Sequence, residues 1–405
     1  MVKPLGSTCN LNCTYCYYLS KEELLQIPGE QRINDELLES FIQQYIKANS
    51  DKEVVFSWQG GEPTLLGIPF YEKVIALQKK HARPNMRIEN DLQTNGTLLN
   101  ADWCAFLKEN GFLVGLSIDG PKELHDKSRV DRGGAPTFDR VFAAAMLLKK
   151  YGVPFNTLTV VSGANAKHPL DVYRFLRNEL DSTYIQLIPC VNYKGFETAA
   201  PGFWEARSLP VVNTKQARPG NADSVVTEWS VDPEDWGRFL NAIFDRWYHR
   251  DLGKVLVNQF ETIVAQHLGL GAQICVYNDF CGKGLALEHD GSLYSCDHMV
   301  YPEYRLGNIS EKNLGQMAFS KEQQRFGFNK RELLPQYCRQ CQYLSDCWGE
   351  CPKNRCLRTP TGEPGLNYLC SGLKKFYAHV TPAINGIVAD LKRQQHKNYR
   401  KMPGR

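Results

Sequence analysis

The sequence predicts an α/β protein, a partial (β/α)6 barrel followed by a small cysteine-rich module organised by metal. Three observations carry this. Strand and helix patterns alternate from residue 33 to about 190. The fourteen cysteines mass at two places. A Gly-Gly turn, Gly60-Gly61, closes the second main strand.

Ile33, Leu37, Leu38, Phe41, Ile42, Tyr45 and Ile46 recur at helical spacing, with Asn34 placed to cap the helix start. Val54-Val55-Phe56-Ser57 then reads as a short buried strand, and similar strands follow near 88–93, 113–118, 153–161 and 184–188. Between them lie helical patterns near 69–80, 101–110, 138–151 and 168–180. Strand, helix, strand at roughly thirty-residue spacing describes βαβ units with right-handed crossovers and a parallel sheet. Residues 194–226, rich in Gly, Pro, Ala and Asn, break the pattern, as a lid, binding loop or linker would. Helices resume at 232–250 and 258–268, and from Cys275 short strands, Gly turns and close cysteines take over. These changes divide the chain into a barrel core (1–226), a helical connection (227–270), a cysteine module (271–370) and a C-terminal helix with a basic tail (371–405). The tail, Lys392–Arg405, reads as a solvated, frayed end.

Composition excludes several classes. Hydrophobic residues make up 42% and charged residues 23%, ordinary for a soluble globular chain. A net charge of +4 at this length gives no nucleic-acid footprint. No apolar run approaches the ~18 residues that span a bilayer, and MVKPLGSTCN lacks a signal-peptide core. The expectation is a soluble, cytoplasmic monomer without nucleic-acid or membrane partners. In a reducing compartment, clustered cysteines point to metal more than to disulfides.

Cys9-x3-Cys13-x2-Cys16 sets three thiols within eight residues, just after the first short strand. Three thiolates on a [4Fe–4S] cube leave one iron open to a small molecule. A zinc site completed by a remote residue is the alternative. In this position the triplet resembles the radical S-adenosylmethionine (radical SAM) superfamily. The resemblance implies that the open iron binds S-adenosylmethionine and that its cleavage gives a 5′-deoxyadenosyl radical. Gln59-Gly60-Gly61-Glu62-Pro63 resembles the family's GGEP motif, whose glycines let backbone carbonyls approach the cofactor amino group. Ser117-Ile118-Asp119-Gly120 resembles the segment whose serine meets the cofactor carboxylate. Asp119 is expected to fix the turn. Arg129 is expected either to pair with a carboxylate or to lie at the surface. Thr94-Asn95-Gly96 falls at the same barrel mouth, where such folds keep their chemistry.

Cys275, Cys281, Cys296, Cys338, Cys341, Cys347, Cys351 and Cys370 make eight thiols, enough for two [4Fe–4S] clusters or two zinc sites. Spacing alone leaves the two open. The array resembles the twin-cluster SPASM extension. That resemblance implies interleaved sets, with Cys275, Cys281, Cys296 and Cys351 on the nearer cluster and Cys338, Cys341, Cys347 and Cys370 on the distal one. Cys104, Cys190 and Cys356 remain and read as packing residues.

Across nearly the whole chain the sequence resembles the anaerobic sulfatase-maturating enzymes. Trp58–Thr64, Ser295-Cys296-Asp297-His298, Arg305–Ile309 and Leu366–Cys370 match their pattern. The resemblance implies S-adenosylmethionine, three [4Fe–4S] clusters and oxidation of a cysteine or serine in an unfolded or nascent sulfatase to Cα-formylglycine. Asp297 would be the general base. Gly60, Gly61, Glu62, Ser117, Gln59 and Tyr18 would contact cofactor or substrate, and a flavodoxin or ferredoxin would supply electrons. A SPASM enzyme that crosslinks or otherwise modifies a ribosomal peptide shares both cysteine arrays and is the second reading. A zinc-organised binding protein is the third.

Overall fold

In the computed structural model, residues 1–27 and 31–400 are described. Ten strands form one sheet. Seven of them, β1 (Val2–Lys3), β2 (Glu53–Trp58), β3 (Arg87–Thr94), β4 (Leu113–Ser117), β5 (Phe155–Val161), β6 (Tyr184–Pro189) and β7 (Leu256–Val257), run parallel in chain order. Helices fill each crossover, among them Asp35–Ala48, Ile68–His81, Ala101–Glu109, Phe138–Tyr151 and Pro233–Arg250. Six βα steps result, and the sheet stays open at β7. The two-residue β7 lies between the expected helices 232–250 and 258–268, within the stretch 227–270 read as a helical connection.

Local chemistry sets these elements. Asn34 caps the first long helix by accepting from the Leu37 N–H at 2.8 Å, as expected. Asn100 does the same for Trp103 at 2.9 Å. Gly152 ends the helix Phe138–Tyr151 in the left-handed region at φ 66°.

The strands are not buried on both faces. In β2, Val54, Phe56 and Trp58 pack under the helices, while Val55 is 39% exposed. The outer core is aromatic, with Phe41, Trp58, Phe70, Tyr71, Trp103 and Phe112 meeting mostly edge to face. The inner face carries Ser57, Asp91, Gln93 and Ser117, which bond in pairs across strands: Ser57 to Asp91 at 2.8 Å and Gln93 to Ser117 at 2.9 Å. A polar, half-buried lumen is where a polar ligand can be held.

The cysteine module is not a separate body. Its strands β8 (Ala286–Glu288), β9 (Ser292–Tyr294) and β10 (Arg305–Asn308) continue the same sheet, with β8 parallel to β1. Val2 therefore pairs with Trp58 on one side and Leu287 on the other.

Residues 194–226 form three short 3-10 turns and strap the barrel to the module. The Val212 N–H donates to Arg358 O at 2.9 Å, Arg358 N–H to Pro210 O at 2.8 Å, and Tyr301 to Phe196 O at 2.7 Å. The C-terminal helix runs Cys370–Arg400, so most of the expected frayed tail is helical, and 401–405 lie outside the described residues. No helix among the described residues is long and apolar enough to cross a membrane.

Candidate active site and cysteine sets

The loop Cys9–Cys16 leaves β1 and is stitched down by its backbone. Asn12 N–H donates to Val130 O and Thr14 N–H to Ser128 O, each at 2.9 Å, and Arg132 Nε reaches Cys9 O at 2.7 Å. The Leu11 N–H points at Cys9 Sγ at 3.4 Å, the Leu19 N–H bears on Cys16, and Asn95 Nδ2 lies 3.8 Å from Cys9 Sγ. Burial pushes Cys9 up to about 11 and Cys13 up to about 12. Such thiols stay protonated until a cation takes them, while the surrounding N–H groups favour the thiolate once formed. The donor set fits a cluster.

The glycine turn explains itself differently from expectation. A Cβ on Gly61 would sit 1.9 Å from Thr8 O, and one on Gly60, at φ 131°, 2.9 Å from Gly6 O. The cysteine loop's own root therefore fills the space that a side chain would need. Gly61 N–H donates to Gly6 O and Glu62 N–H to Thr8 O, both at 2.9 Å. The Glu62 carboxylate is buried and committed to the protein: it accepts from Thr64 N at 3.0 Å, Thr94 Oγ1 at 2.7 Å and Asn95 N at 2.7 Å. It ties the ends of β2 and β3 together.

Arg129 is buried. Its Nε lies 3.0 Å from Asp119 Oδ2, Tyr15 donates to the same oxygen, and Val160 N–H donates to Oδ1 at 3.0 Å. Asp119 thus fixes more than its turn. Ser117 lies at the mouth of the lumen with its hydroxyl on Gln93, and Gln59 follows β2 with its N–H on Val2 O at 2.9 Å.

The eight thiols of the module separate into two groups. Cys338, Cys341, Cys347 and Cys370 line one cavity, with Tyr337 and Lys374 at its wall. The thiol charges bearing on Cys370 come from Cys347, Cys338 and Cys341. Those bearing on Cys351 come from Cys281, Cys296 and Cys275. Backbone N–H groups again serve sulfur: Gly282 for Cys281, His298 for Cys296, and Gly349 with Glu350 for Cys347. The last pair requires a left-handed run at Trp348, Gly349 and Glu350, with φ of 46°, 67° and 48°. Cys104, Cys190 and Cys356 are buried and belong to neither group.

Asp297 follows Cys296 and points at β1. Its carboxylate pairs with the Lys3 ammonium and accepts from Tyr17 OH at 2.9 Å. Burial alone would raise its pKa; the charge of Lys3 chiefly reverses this and holds it at about 2. Sequence reasoning missed Lys3 and Tyr17. A lone lysine in a first strand that must be buried was the available signal, since Lys3 is 1% exposed. Tyr18, expected beside substrate or cofactor, donates its hydroxyl to buried Glu288, with its ring 4.4 Å from Lys3 Nζ. His298 Nδ1 lies 3.5 Å from Cys351 Sγ, and burial lowers its pKa to about 4.

An open triplet at the mouth of a parallel barrel is the arrangement of the radical SAM superfamily, whose sequence profile matches residues 4–176, and the SPASM iron–sulfur cluster-binding domain matches 280–342. The chain is 43% identical to the serine-type anaerobic sulfatase-maturating enzyme of Bacteroides thetaiotaomicron, over 98% of this chain and 92% of that one. It is 34% identical to the cysteine-type enzyme of Clostridium perfringens, over 97% of this chain and 98% of that one. A solved structure of native anSMEcpe with bound AdoMet and Kp18Cys peptide superposes with a TM-score of 0.80 at 34% identity, covering 96% of this chain and 98% of that one. The chain belongs to the anaerobic sulfatase-maturating enzymes. As a radical SAM and SPASM protein it uses S-adenosylmethionine and iron–sulfur clusters. Streptococcus suis SuiB shares the fold, with a TM-score of 0.55 at 14% identity over 87% of this chain and 72% of that one.

Proposed function

We propose that this chain oxidises a cysteine or serine of an unfolded sulfatase polypeptide to Cα-formylglycine, using three [4Fe–4S] clusters. The observation that carries the reading is Asp297, a single ionised carboxylate held between the barrel's first strand and the module's cysteines. When bound, the cluster that Cys9, Cys13 and Cys16 would hold and its S-adenosylmethionine would supply a radical able to remove a Cβ hydrogen, and the module clusters would accept the remaining electron. A cysteine target would be left as a thioaldehyde, which water converts to the aldehyde with release of hydrogen sulfide. Asp297 takes the thiol or hydroxyl proton. A carboxylate with so low a pKa is a weak base, suited to a proton that loss of the Cβ hydrogen has already made acidic. Lys3 and Tyr17 keep it charged and aimed. Gly60, Gly61 and Ser117 hold the cofactor's polar end, with Glu62 fixing the turn, and Gln59 and Tyr18 bound the substrate side.

We assign the module to residues 271–370, because Cys275, Cys347, Cys351 and Cys370 join the two groups from outside the matched 280–342. The barrel is then 1–226, and the connection 227–270 donates β7 to its sheet. Fourteen free thiols and a need for low-potential electrons suit a cytoplasmic monomer reduced by a flavodoxin or ferredoxin. A serine-type relative stands at 43%, above a cysteine-type enzyme and the serine-type enzyme of Klebsiella aerogenes, both at 34%, so both targets are tested.

The test is made without oxygen. Reconstituted protein, with about twelve irons, is incubated with dithionite, S-adenosylmethionine and a sulfatase active-site peptide in cysteine and serine forms. A loss of about 18 Da from cysteine or about 2 Da from serine is expected from the proposed chemistry. Deoxyadenosine with both peptides unchanged would overturn the sulfatase assignment and favour modification of another peptide.

A further inference from the structure

Two buried cations lie among the module's cysteines, and the reaction as described uses neither. Arg355 is 9% exposed, and its guanidinium is fixed by backbone carbonyls: Nη1 to Lys330 O at 2.8 Å, Nη2 to Trp348 O at 3.0 Å and Nε to Gly349 O at 3.2 Å. Lys330 is 1% exposed, and its Nζ donates to Cys275 O at 2.8 Å and Val276 O at 2.7 Å. Among the described residues, neither forms an ion pair with a carboxylate at salt-bridge distance. A buried charge without a counter-charge is costly, so the partners must be found elsewhere.

The thiols supply them, unequally. Arg355 is held on Trp348 O and Gly349 O, in the turn that joins Cys347 of one group to Cys351 of the other, and Gly349 lines the cavity of the first group; thiols of both groups bear on it. Lys330 is held on Cys275 O and Val276 O, within one group only, whose Cys281 and Cys351 bear on it together with the buried Glu350 carboxylate. One cation is shared and the other is private.

We propose that Arg355 is the common counter-charge of both module clusters, raising their reduction potentials together, while Lys330 raises only that of the cluster on Cys275, Cys281, Cys296 and Cys351. This rests on the reading that each group of four thiols holds a cluster. Four thiolates on a cube leave a net negative centre, and each electron received adds one more negative charge. A fixed positive charge at low dielectric stabilises that reduced form. Because the guanidinium is pinned by three carbonyls, its field cannot be relaxed by side-chain movement. The electron left by substrate oxidation then passes between two couples that rise or fall together. Arg355 acts through the clusters and is a positioning residue.

The experiment is a redox titration followed by electron paramagnetic resonance on reconstituted wild type, Arg355→Gln, Arg355→Lys and Lys330→Met, with iron counted in each. Arg355→Gln keeps donors for the carbonyls and removes the charge. It is expected to lower both module potentials by about tenfold in the reduced-to-oxidised ratio, about 59 mV for a one-electron couple. Arg355→Lys should restore most of the loss, and Lys330→Met should lower one couple alone. Full iron with unshifted potentials, or a shift of a single couple in Arg355→Gln, overturns the proposal. Should Arg355→Gln lose iron, Lys330→Met decides: one couple lowered supports the proposal, and two couples lowered, or none, overturns it. Wild type without module clusters would instead sink the cluster reading itself.

Discussion

The two cysteine regions solve the same chemical problem in opposite ways. The barrel triplet is local: three thiols on one loop, anchored by backbone bonds to residues 128–132 and by a glycine turn pressed against its root. The module's eight thiols are gathered from residues 275–370, and each group closes only when the whole module has folded. A local, three-ligand set leaves an iron open to a cofactor. A dispersed, four-ligand set is coordinatively complete and suited to storing electrons. Openness comes from economy of ligands, and the cost is a loop that needs outside support.

The largest test of this contrast is Cys13→Ala. It should abolish deoxyadenosine formation, a fall of about 10³-fold or more, while the module clusters and their spectra remain. Loss of module iron in that variant would mean that the regions assemble as one. Asp297→Asn should keep deoxyadenosine production and lower peptide oxidation by about 10²–10⁴-fold, read by product mass against nucleoside yield. Equal peptide oxidation would remove Asp297 from the base role. Asp119→Asn leaves Arg129 buried opposite a neutral amide and should cost about 3–5 kcal/mol, measured as a lower denaturant midpoint. Gly61→Ala must move Thr8 and should cost about 2–4 kcal/mol, with iron lost first from the triplet. The smallest effect belongs to Cys356→Ala, a buried thiol outside both groups. Its iron content should equal that of wild type, with a stability loss of about 1 kcal/mol.

Much of the barrel was legible because its signals are local. Asn34 before an amphipathic run marks a helix start without help from distant residues. Strand faces were not legible in the same way. Val54-Val55-Phe56 reads as uniformly apolar, yet the face of Phe56 meets Phe41 and Tyr45 while Val55 on the other face is 39% exposed. The two residues of β7 carry no pattern at all. They pair with Tyr184 and Ile185 because the preceding helix returns them to the sheet edge. At the site, spacing brought out the cysteines, but the Lys3–Asp297 pair joins residues far apart in sequence, and the nearer Arg129–Asp119 pair closes only when the loop after β4 folds back. Adjacent tyrosines could not be told apart until the fold gave Tyr17 to Asp297 and Tyr18 to Glu288.

The placement of β1 between β2 and β8 bears on how the molecule is made. Leu287 N–H donates to Met1 O at 2.9 Å, and Lys3 pairs in register with Glu288. The strand that roots the triplet loop therefore waits, during synthesis, for a partner nearly three hundred residues downstream. Until β8 emerges, one edge of the nascent barrel stays unpaired, with Lys3 lacking its carboxylate. The loop cysteines and Asp297 become parts of one structure only after the ribosome has passed Cys296. Order of synthesis thus delays a complete barrel mouth until the first strands of the cysteine module have emerged.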